Sequence, residues 1–420
     1  MNKRVLSTVA IGALALSVSL TACSGGDSRT DSDTLEVWDL QQSGKDINES
    51  YAPIIQSFEK ANPGVKVKLT VIPYEQYLNK ALLALNGSSG PDVLSLDQIW
   101  MAQLAAAGQI SALDEQIEAS STIEPDDFFA GAWASNVYDD STYGVPLNAD
   151  VWEQLYYNAD LFEKAGLDPD APPTTWEEWN AALEKLTDPS TDQAGISLIG
   201  CKNEGSVVVT NSLMFSNDGS VITDDASSYD SAENAAALEQ YATLADFAPA
   251  GVAATCEQDA VARFTAGKAA MLLDGSWQQD TMKTSADFDW RIAVPPVPAG
   301  KTFIGALGGF NLGISAKATR PDLAFKWIEH LTTAENQVAV NSLIPALKTA
   351  GAEFVAENRQ QPDVVLETLE NGGTRPATPA YPQISKAQQD TVQAILGGED
   401  VAKALAEGSE AIGAAIDAAR

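Results

Sequence analysis

Alternating hydrophobic and polar residues and longer runs at helical spacing follow one another near the start of the folded chain. Leu35 to Asp39 alternates as a first strand, Ile47 to Ala61 has helical spacing, and Val65 to Ile72 alternates again. A second helical run, Tyr74 to Leu85, leads to a short strand, Val93 to Leu96. This succession predicts a parallel sheet covered by helices.

A second series of the same kind begins at Tyr143. The helix predicted over Thr175 to Leu186 opens with a capping box formed by Thr175 and Glu178. The proline-rich stretch 295–298 is the best candidate for a crossover between two lobes. Further strands are predicted over Tyr143 to Leu147, Leu155 to Tyr157, Ala194 to Ile199, Ala269 to Leu273, Trp290 to Val294 and Leu307 to Ser315.

The N-terminus has the pattern of a lipoprotein leader. Lys3 and Arg4 precede an apolar run, Val5 to Leu20, that is too short for a comfortable membrane span. The run ends in a Leu-Thr-Ala-Cys sequence that resembles a bacterial lipobox, so we expect a signal peptide over 1–22 and lipidation of Cys23. The alternative is an ordinary signal peptide with a chance cysteine. Small polar residues over 23–34 predict a flexible tether, which places the protein at the extracellular face of the cell membrane.

Length and charge narrow the class of protein. Nearly 390 of the 420 residues follow the tether, which is too many for one hydrophobic core and suggests two lobes. A net charge of −33 repels nucleic acid and argues against an anionic ligand. The single histidine, His330, argues against a histidine-based triad or a zinc site. We therefore expect no catalytic residue, no metal and no cofactor. If Cys23 is lipidated, Cys201 and Cys256 remain, and a disulfide between them is a hypothesis.

Several blocks, in order, resemble the maltose-binding-protein type of carbohydrate-binding component of ABC importers, extracellular solute-binding protein family 1. Each block is weak alone, but together they span nearly the whole chain after the lipobox. They are Gly90-Pro91-Asp92-Val93 leading to Asp97, Tyr143-Gly144-Val145-Pro146, Pro172 to Glu178, Phe264 to Met271 ending at Gly275-Ser276-Trp277, Gly308-Gly309, and Arg375 to Tyr381.

The resemblance implies a fold and a division of the chain. The fold is an α/β, two-lobed, type II periplasmic-binding-protein-like fold, in which each lobe is a mostly parallel sheet flanked by helices and a hinge joins them. We expect an N-terminal lobe over 35–147 and 303–350, and a C-terminal lobe over 148–302 and 351–420.

A site for a neutral sugar needs aromatic platforms together with carboxylate, amide and guanidinium groups. Positions matching Asp97, Trp277, Arg375 and Tyr381 are commonly near ligand in the resembled family. Each residue has a structural alternative: core packing for the rings and a salt bridge for Arg375. The full set of expected ligand-binding residues is Trp38, Asp97, Trp100, Asn148, Asp150, Trp152, Glu257, Trp277, Arg375 and Tyr381.

The function expected from this set is capture of an oligosaccharide, most simply a disaccharide, by hinge closure. The expected partners are the permease subunits of an ABC importer, with the membrane contacted only through the lipid anchor, no nucleic acid, and a monomeric protein. Two alternatives stay open. The negative net charge and the aromatic site residues also suit a polyamine or another cationic solute. Paired carboxylates would suit a secreted glycosidase.

Overall fold

A computed structural model of the chain describes residues 33–41, 47–87 and 90–420. The expected leader, Cys23 and nearly all of the tether lie outside these ranges. The strands are β1 (Thr34–Gln41), β2 (Lys66–Pro73), β3 (Val93–Asp97), β4 (Val137–Tyr138), β5 (Ser141–Thr142), β6 (Val145–Pro146), β7 (Asn148–Val151), β8 (Gln154–Asn158), β9 (Ala194–Ser197), β10 (Ile222–Thr223), β11 (Ala226–Ser227), β12 (Ala269–Asp274), β13 (Trp290–Ala293), β14 (Gly305–Gly308), β15 (Phe310–Ile314), β16 (Ile344–Pro345) and β17 (Gly372–Gly373).

Helices connect and cover these strands. They are α1 (Ile47–Ala61), α2 (Tyr74–Asn86), α3 (Met101–Ala106), α4 (Asp114–Ala119), α5 (Ala130–Ala134), α6 (Ala159–Lys164), α7 (Trp176–Leu186), α8 (Glu204–Phe215), α9 (Ala232–Asp246), α10 (Glu257–Thr265), α11 (Gln278–Ser285), α12 (Pro321–Leu331), α13 (Ala334–Val340), α14 (Lys348–Asn358), α15 (Pro362–Glu370), α16 (Tyr381–Leu396) and α17 (Val401–Ala418). Among the described residues, none of these helices is both long and apolar enough to cross a bilayer.

The N-terminal lobe is built on a sheet in the order β2-β1-β3-β15-β6. Strand β1 carries buried hydrophobic side chains on both of its faces. Leu35 and Val37 belong to the core cluster that contains Tyr51 and Phe58 of α1, whereas Leu40 belongs to a second cluster with side chains of α2 and α3. The helices therefore lie on both faces of this sheet, and its strand ends are left to form the site.

The C-terminal lobe is built on a sheet in the order β13-β8-β12-β9. Helix α7 packs against β9, and its capping box is present as the sequence predicts, with Thr175 and Glu178 bonding reciprocally. Trp179 of this helix is fully buried in the core, and the half-buried Trp176 packs against the same core.

A small hinge sheet in the order β16-β7-β14-β17 joins the two lobes. Each of two crossing segments changes sheet at a single residue, Leu147 between β6 and β7 and Gly309 between β14 and β15. The Leu147 amide donates to the Phe310 carbonyl at 2.9 Å, so the two breaks lie side by side. Gly309 has φ +147°, and a Cβ there would lie 2.4 Å from the Asn148 carbonyl oxygen, so only glycine fits.

The two-lobed α/β expectation and the expectation of mostly parallel sheets are confirmed, and the sheet of each lobe contains one strand that runs against the others. In the N-terminal lobe β1 pairs in parallel with β2 and β3, whereas β15 is antiparallel to both β3 and β6. In the C-terminal lobe β8 is antiparallel to β12 and β13. The physical reason is that β8 and β15 enter their sheets from the other lobe and not through a helical crossover. The expected lobe boundaries at 147 and 303 fall beside hinge strands, and the exact limits stay a prediction.

The capping box gives a stability prediction. Replacing Thr175 with alanine removes the oxygen that accepts the Glu178 amide at 3.2 Å, so we expect Thr175→Ala to lower the free energy of unfolding by about 1 kcal/mol. Urea denaturation measures this change. The Thr175→Ser variant keeps the acceptor and is the control; equal loss in both variants would contradict the assignment.

Candidate functional site

The end of strand β3 places a buried carboxylate at the crevice between the lobes. Asp97 is 8 % exposed, and its Oδ1 accepts the Ile99 amide at 3.1 Å as the cap of a short helical turn. Its Oδ2 accepts the hydroxyl of Tyr74 at 2.9 Å. Burial raises the pKa of Asp97, and the positive charge of Arg375 opposes this increase. The carboxylate expected from the sequence is therefore held in place by its own lobe.

An aromatic shelf stands beside this carboxylate. The ring of Tyr74 is 40 % exposed and stacks on Trp100 with 5.5 Å between ring centroids. Trp100 is itself buried and stacks on Tyr77 at 6.0 Å, while Trp38 is half-buried and packs against the same cluster. The structure thus brings Trp38 and Trp100 together as the support of the shelf, and Tyr74 is the ring that remains accessible.

Tyr74 was missed by the sequence analysis, although a signal for it existed. It follows directly after β2 and begins α2. Ligands in open α/β sheets lie beyond the carboxyl ends of strands, and β2 is a neighbour of β1 in the sheet. The position of Tyr74 beyond the end of β2 was therefore a signal that it could line the site.

The facing wall, from the C-terminal lobe, is organised by the carboxylate of Glu204, the first residue of α8. Arg375 Nη1 donates to Glu204 Oε1 at 2.7 Å, and the Tyr381 hydroxyl donates to the same oxygen. The Ser385 hydroxyl donates to Oε2 at 2.5 Å. We call Glu204, Arg375, Tyr381 and Ser385 the Glu204 cluster. It unites the expected residues Arg375 and Tyr381, but Glu204 at its centre carries no sequence signal apart from its place at a helix start.

Charged groups on one wall act on titratable groups of the other wall. The charges of Arg375 and Glu204 act on the pKa values of both Asp97 and Tyr74. A small cavity between the lobes has walls from both of them, with Gln98, Ile99, Ala102 and Ser135 on one side and 374–377 on the other. The crevice is therefore bounded by an acid and a ring on one wall and by an acid–arginine cluster on the other.

A tryptophan pair lies on the C-terminal lobe. Trp152 and Trp277 are both half-buried and meet edge to face at 5.1 Å. The Trp277 indole nitrogen donates to Glu257 Oε1 at 3.2 Å, and Gln278 donates to the same oxygen at 2.9 Å. The structure thus brings together Trp152, Trp277 and Glu257, three of the expected ligand-binding residues, in one partly open patch.

Asn148 and Asp150 lie instead on the hinge strand β7. The Asn148 carboxamide donates to Asn341 at 2.6 Å and accepts the Phe310 amide at 2.9 Å. Asp150 accepts the Ser276 hydroxyl at 2.5 Å, and burial raises its pKa to about 6. Both side chains are almost fully buried. This geometry favours a hinge role for them, and ligand contact by either residue stays a prediction.

Cys201 and Cys256 are joined by a disulfide with a Cα–Cα distance of 5.1 Å. Within the described ranges, no group of histidine, cysteine and acidic side chains is placed to hold a metal ion.

A larger groove, of about 610 Å³, lies on the C-terminal lobe and is lined in part by Pro295 and Val297 of the proline-rich stretch. The chain crosses between the lobes farther on, through β14 and Gly309, and not at this stretch as the sequence predicts. None of the residues expected to bind ligand lines the groove, and its basic side chains Arg291 and Lys301 are already ion-paired with aspartates. The crevice, where rings and polar groups from two lobes converge, is the better candidate site.

Comparison with known proteins agrees with this architecture. A 26 % identical relative, a binding protein of Brucella abortus, matches over 270 residues, which is 62 % of this chain and 62 % of the relative. The galactooligosaccharide-binding protein of Bacillus subtilis is 24 % identical over 415 residues, 94 % of each chain. A crystal structure of an ABC-transporter solute-binding protein from Thermotoga lettingae bound with α-D-tagatose is 26 % identical, with a TM-score of 0.76 over 92 % of this chain and 100 % of that one.

Fold and crevice together define a two-lobed binding protein of the type II class, the fold of the Thermotoga protein. The family model of the bacterial extracellular solute-binding proteins matches residues 43–338, more than two thirds of the 420-residue chain. The chain belongs to that family.

A buried glutamate, Glu153, lies between the hinge strand β7 and strand β8. The Ser212 hydroxyl donates to its Oε2, and Ser212 Oγ also accepts the Ala306 amide of β14 at 2.7 Å. Burial raises the pKa of Glu153 to about 8, although Ser212 and Arg375 oppose the increase. The structure therefore holds a protonated acid at the hinge near neutral pH.

This protonation predicts a pH dependence of stability. Between the ordinary carboxyl pKa of 4.5 and about 8, the folded protein keeps a proton on Glu153 that the unfolded chain releases. The free energy of unfolding therefore falls as pH rises, at up to about 1.4 kcal/mol per pH unit. We expect Glu153→Gln to gain stability relative to wild type between pH 5 and pH 8, measured by urea denaturation. A difference that is the same at both pH values would contradict the assignment.

Proposed function

We propose that this protein is the extracytoplasmic substrate-binding component of an ABC-type importer and captures a neutral oligosaccharide of about disaccharide size. The ligand bridges the two lobes, closure is favoured by the contacts that it makes in the closed state, and the permease receives it unchanged. Acylation of Cys23 holds the monomeric protein at the outer face of the membrane and raises its effective concentration near the permease.

The observation that carries this proposal is the pairing of unlike walls across one crevice. Tyr74 on one wall and Trp277 on the other offer rings to the apolar C–H faces of a sugar. Asp97 and the Glu204 cluster offer charged partners for hydroxyl groups, which form shorter and stronger hydrogen bonds than neutral partners do. Rings supply burial, and the ionic groups fix orientation.

The printed functions of similar proteins support the sugar assignment. The Bacillus subtilis relative is a galactooligosaccharide-binding protein, and the Thermotoga structure contains tagatose. The Thermotoga protein is a solute-binding protein of an ABC transporter, the kind of system proposed here.

The bonding of the crevice carboxylates supports binding without catalysis. Glycoside hydrolysis needs one carboxyl group free to donate a proton and a second to act as nucleophile or base. Glu204 accepts from three donors, one of them an arginine, and Asp97 accepts from an amide and a hydroxyl. Carboxylates that already accept several hydrogen bonds are better suited to holding a ligand than to transferring protons.

A cationic solute such as a polyamine is the second candidate. Arg375 is neutralised by Glu204, which leaves Asp97 and Glu257 in excess along the crevice. The faces of Trp152 and Trp277 would suit an ammonium group by cation–π attraction. Neutral sugars have the stronger support because the similar proteins described above bind sugars. One binding experiment tests both candidate ligands.

A binding screen on the purified protein without its tether tests the proposal. We would measure thermal shifts and isothermal titration with maltose, maltotriose, β-1,4-galactobiose, tagatose and spermidine. The proposal expects a sugar to raise the melting temperature by mass action and to be recovered intact after incubation. Binding of spermidine alone would favour the second candidate, and catalytic release of sugar would overturn both.

Truncation of one crevice ring gives a sharper prediction. Trp277→Ala removes the partner of Trp152, so we expect the dissociation constant for the bound sugar to rise at least about tenfold, which corresponds to about 1.4 kcal/mol. Trp176→Ala is the matched control, because Trp176 is a half-buried indole of the same lobe whose nitrogen bonds to a backbone carbonyl at 3.1 Å. Equal affinity of the Trp277 variant and wild type would remove Trp277 from the site.

A further inference from the structure

The disulfide joins two loops that each lead directly into a crevice carboxylate. Cys201 lies between β9 and α8, three residues before Glu204 at the start of that helix. Cys256 immediately precedes Glu257, the first residue of α10. The covalent bond therefore joins the two chain segments that carry Glu204 and Glu257.

The same two loops are also tied by hydrogen bonds. The amides of Gly200 and Cys201 both donate to the Thr255 carbonyl, each at 3.0 Å. The Gln393 side chain of α16 donates to the Gly200 carbonyl at 2.6 Å and to the Ala253 carbonyl at 3.2 Å. The disulfide is therefore one part of a clamp, and the loops keep partners when it is absent.

Helix α16 connects this clamp to the Glu204 cluster. Tyr381 and Ser385 donate to Glu204 from the first turns of the helix, and Gln393 lies two i+4 steps beyond Ser385 on the same face. One rigid helix thus fixes the Glu204 carboxylate at one end and the loop junction at the other.

We propose that the Cys201–Cys256 disulfide is a positioning element of the ligand site, which holds Glu204 and Glu257 at the spacing required by the bound solute. This inference rests on the proposed function of the crevice. Affinity depends on groups that are ordered before the ligand arrives, because ordering them afterwards costs binding free energy. Rigid support is also what keeps such groups within hydrogen-bonding reach of a ligand.

A general stabilising role makes a different prediction. A bond across 55 residues restricts the unfolded chain and raises the melting temperature, but that effect leaves the affinity of the folded protein unchanged. Affinity measured well below the melting temperature therefore separates the two roles.

The test compares wild type with the Cys201→Ala/Cys256→Ala variant. Alanine is chosen because serine at 256, the N-cap of α10, would add a new capping hydrogen bond. Titrations with maltotriose and β-1,4-galactobiose give dissociation constants, and hydrogen–deuterium exchange of the ligand-free proteins reports on 199–206 and 252–260. Thr175→Ala, destabilised elsewhere in the same lobe, controls for loss of stability alone.

We expect the dissociation constant to rise about tenfold in the double variant and stay at the wild-type value in Thr175→Ala. Exchange should increase in the two loops and remain unchanged in β12. Adding Gln393→Ala should weaken binding more in the disulfide-free protein than in wild type, because the two ties share one junction.

Unchanged affinity and unchanged loop exchange in the double variant would overturn the proposal, as would alkylation of both cysteines in wild type without reductant. If wild type binds neither sugar, the proposed function fails for these ligands. The exchange measurement then decides the positioning claim by itself, since it needs no ligand.

Discussion

The arrangement of the site depends on the passage of the chain between two sheets through a small hinge sheet. Strand β7 enters the hinge at Asn148 and β14 leaves it at Gly308, and glycine at 309 lets the second crossing strand approach the first closely. Because the crossings fix how the sheets are placed, strand ends from different lobes come to face one another. Gln98 and Ile99 after β3 and the segment 374–377 line one small cavity for this reason.

Charge in the crevice is arranged so that each ionic group has a local partner before any ligand binds. Glu204 is held by Arg375, Tyr381 and Ser385, and Asp97 is held by Tyr74 and a backbone amide. An unpaired buried charge would cost several kcal/mol, so this pairing keeps the empty site stable. It also leaves the groups oriented, which lowers the cost of ordering them on a ligand.

Much of the fold could be predicted from local patterns, because they reflect local physics. Alternation located β1 and β2, helical spacing located α1 and α2, and the capping box located the start of α7 at Thr175. The one antiparallel strand of each sheet, β8 or β15, could not be identified, since both enter their sheets from the opposite lobe and no local pattern records that. The break at Gly309 fell inside the run Leu307 to Ser315, which was predicted as a single strand, and the hinge strand β7 was not predicted.

Asp97 and Trp277 were selected because they match positions commonly near ligand in the resembled family, and their contact with ligand stays a prediction. Glu204 was missed because its importance arises from Arg375 and Tyr381, which lie more than 170 residues farther along the chain. Two expected ligand-binding residues are buried and have structural contacts that a sequence does not show. Trp100 supports the exposed ring of Tyr74, and the Asn148 carboxamide forms hydrogen bonds within the hinge.

The central claim is that a solute held between the lobes draws them together, and a distance between the lobes tests it most directly. Spin labels on cysteines introduced at Glu115 of α4 and Lys185 of α7, both exposed, would report that distance by pulsed electron paramagnetic resonance. With saturating sugar, the account predicts a shift to one shorter, narrower distance distribution. An identical distribution with and without bound sugar would contradict it.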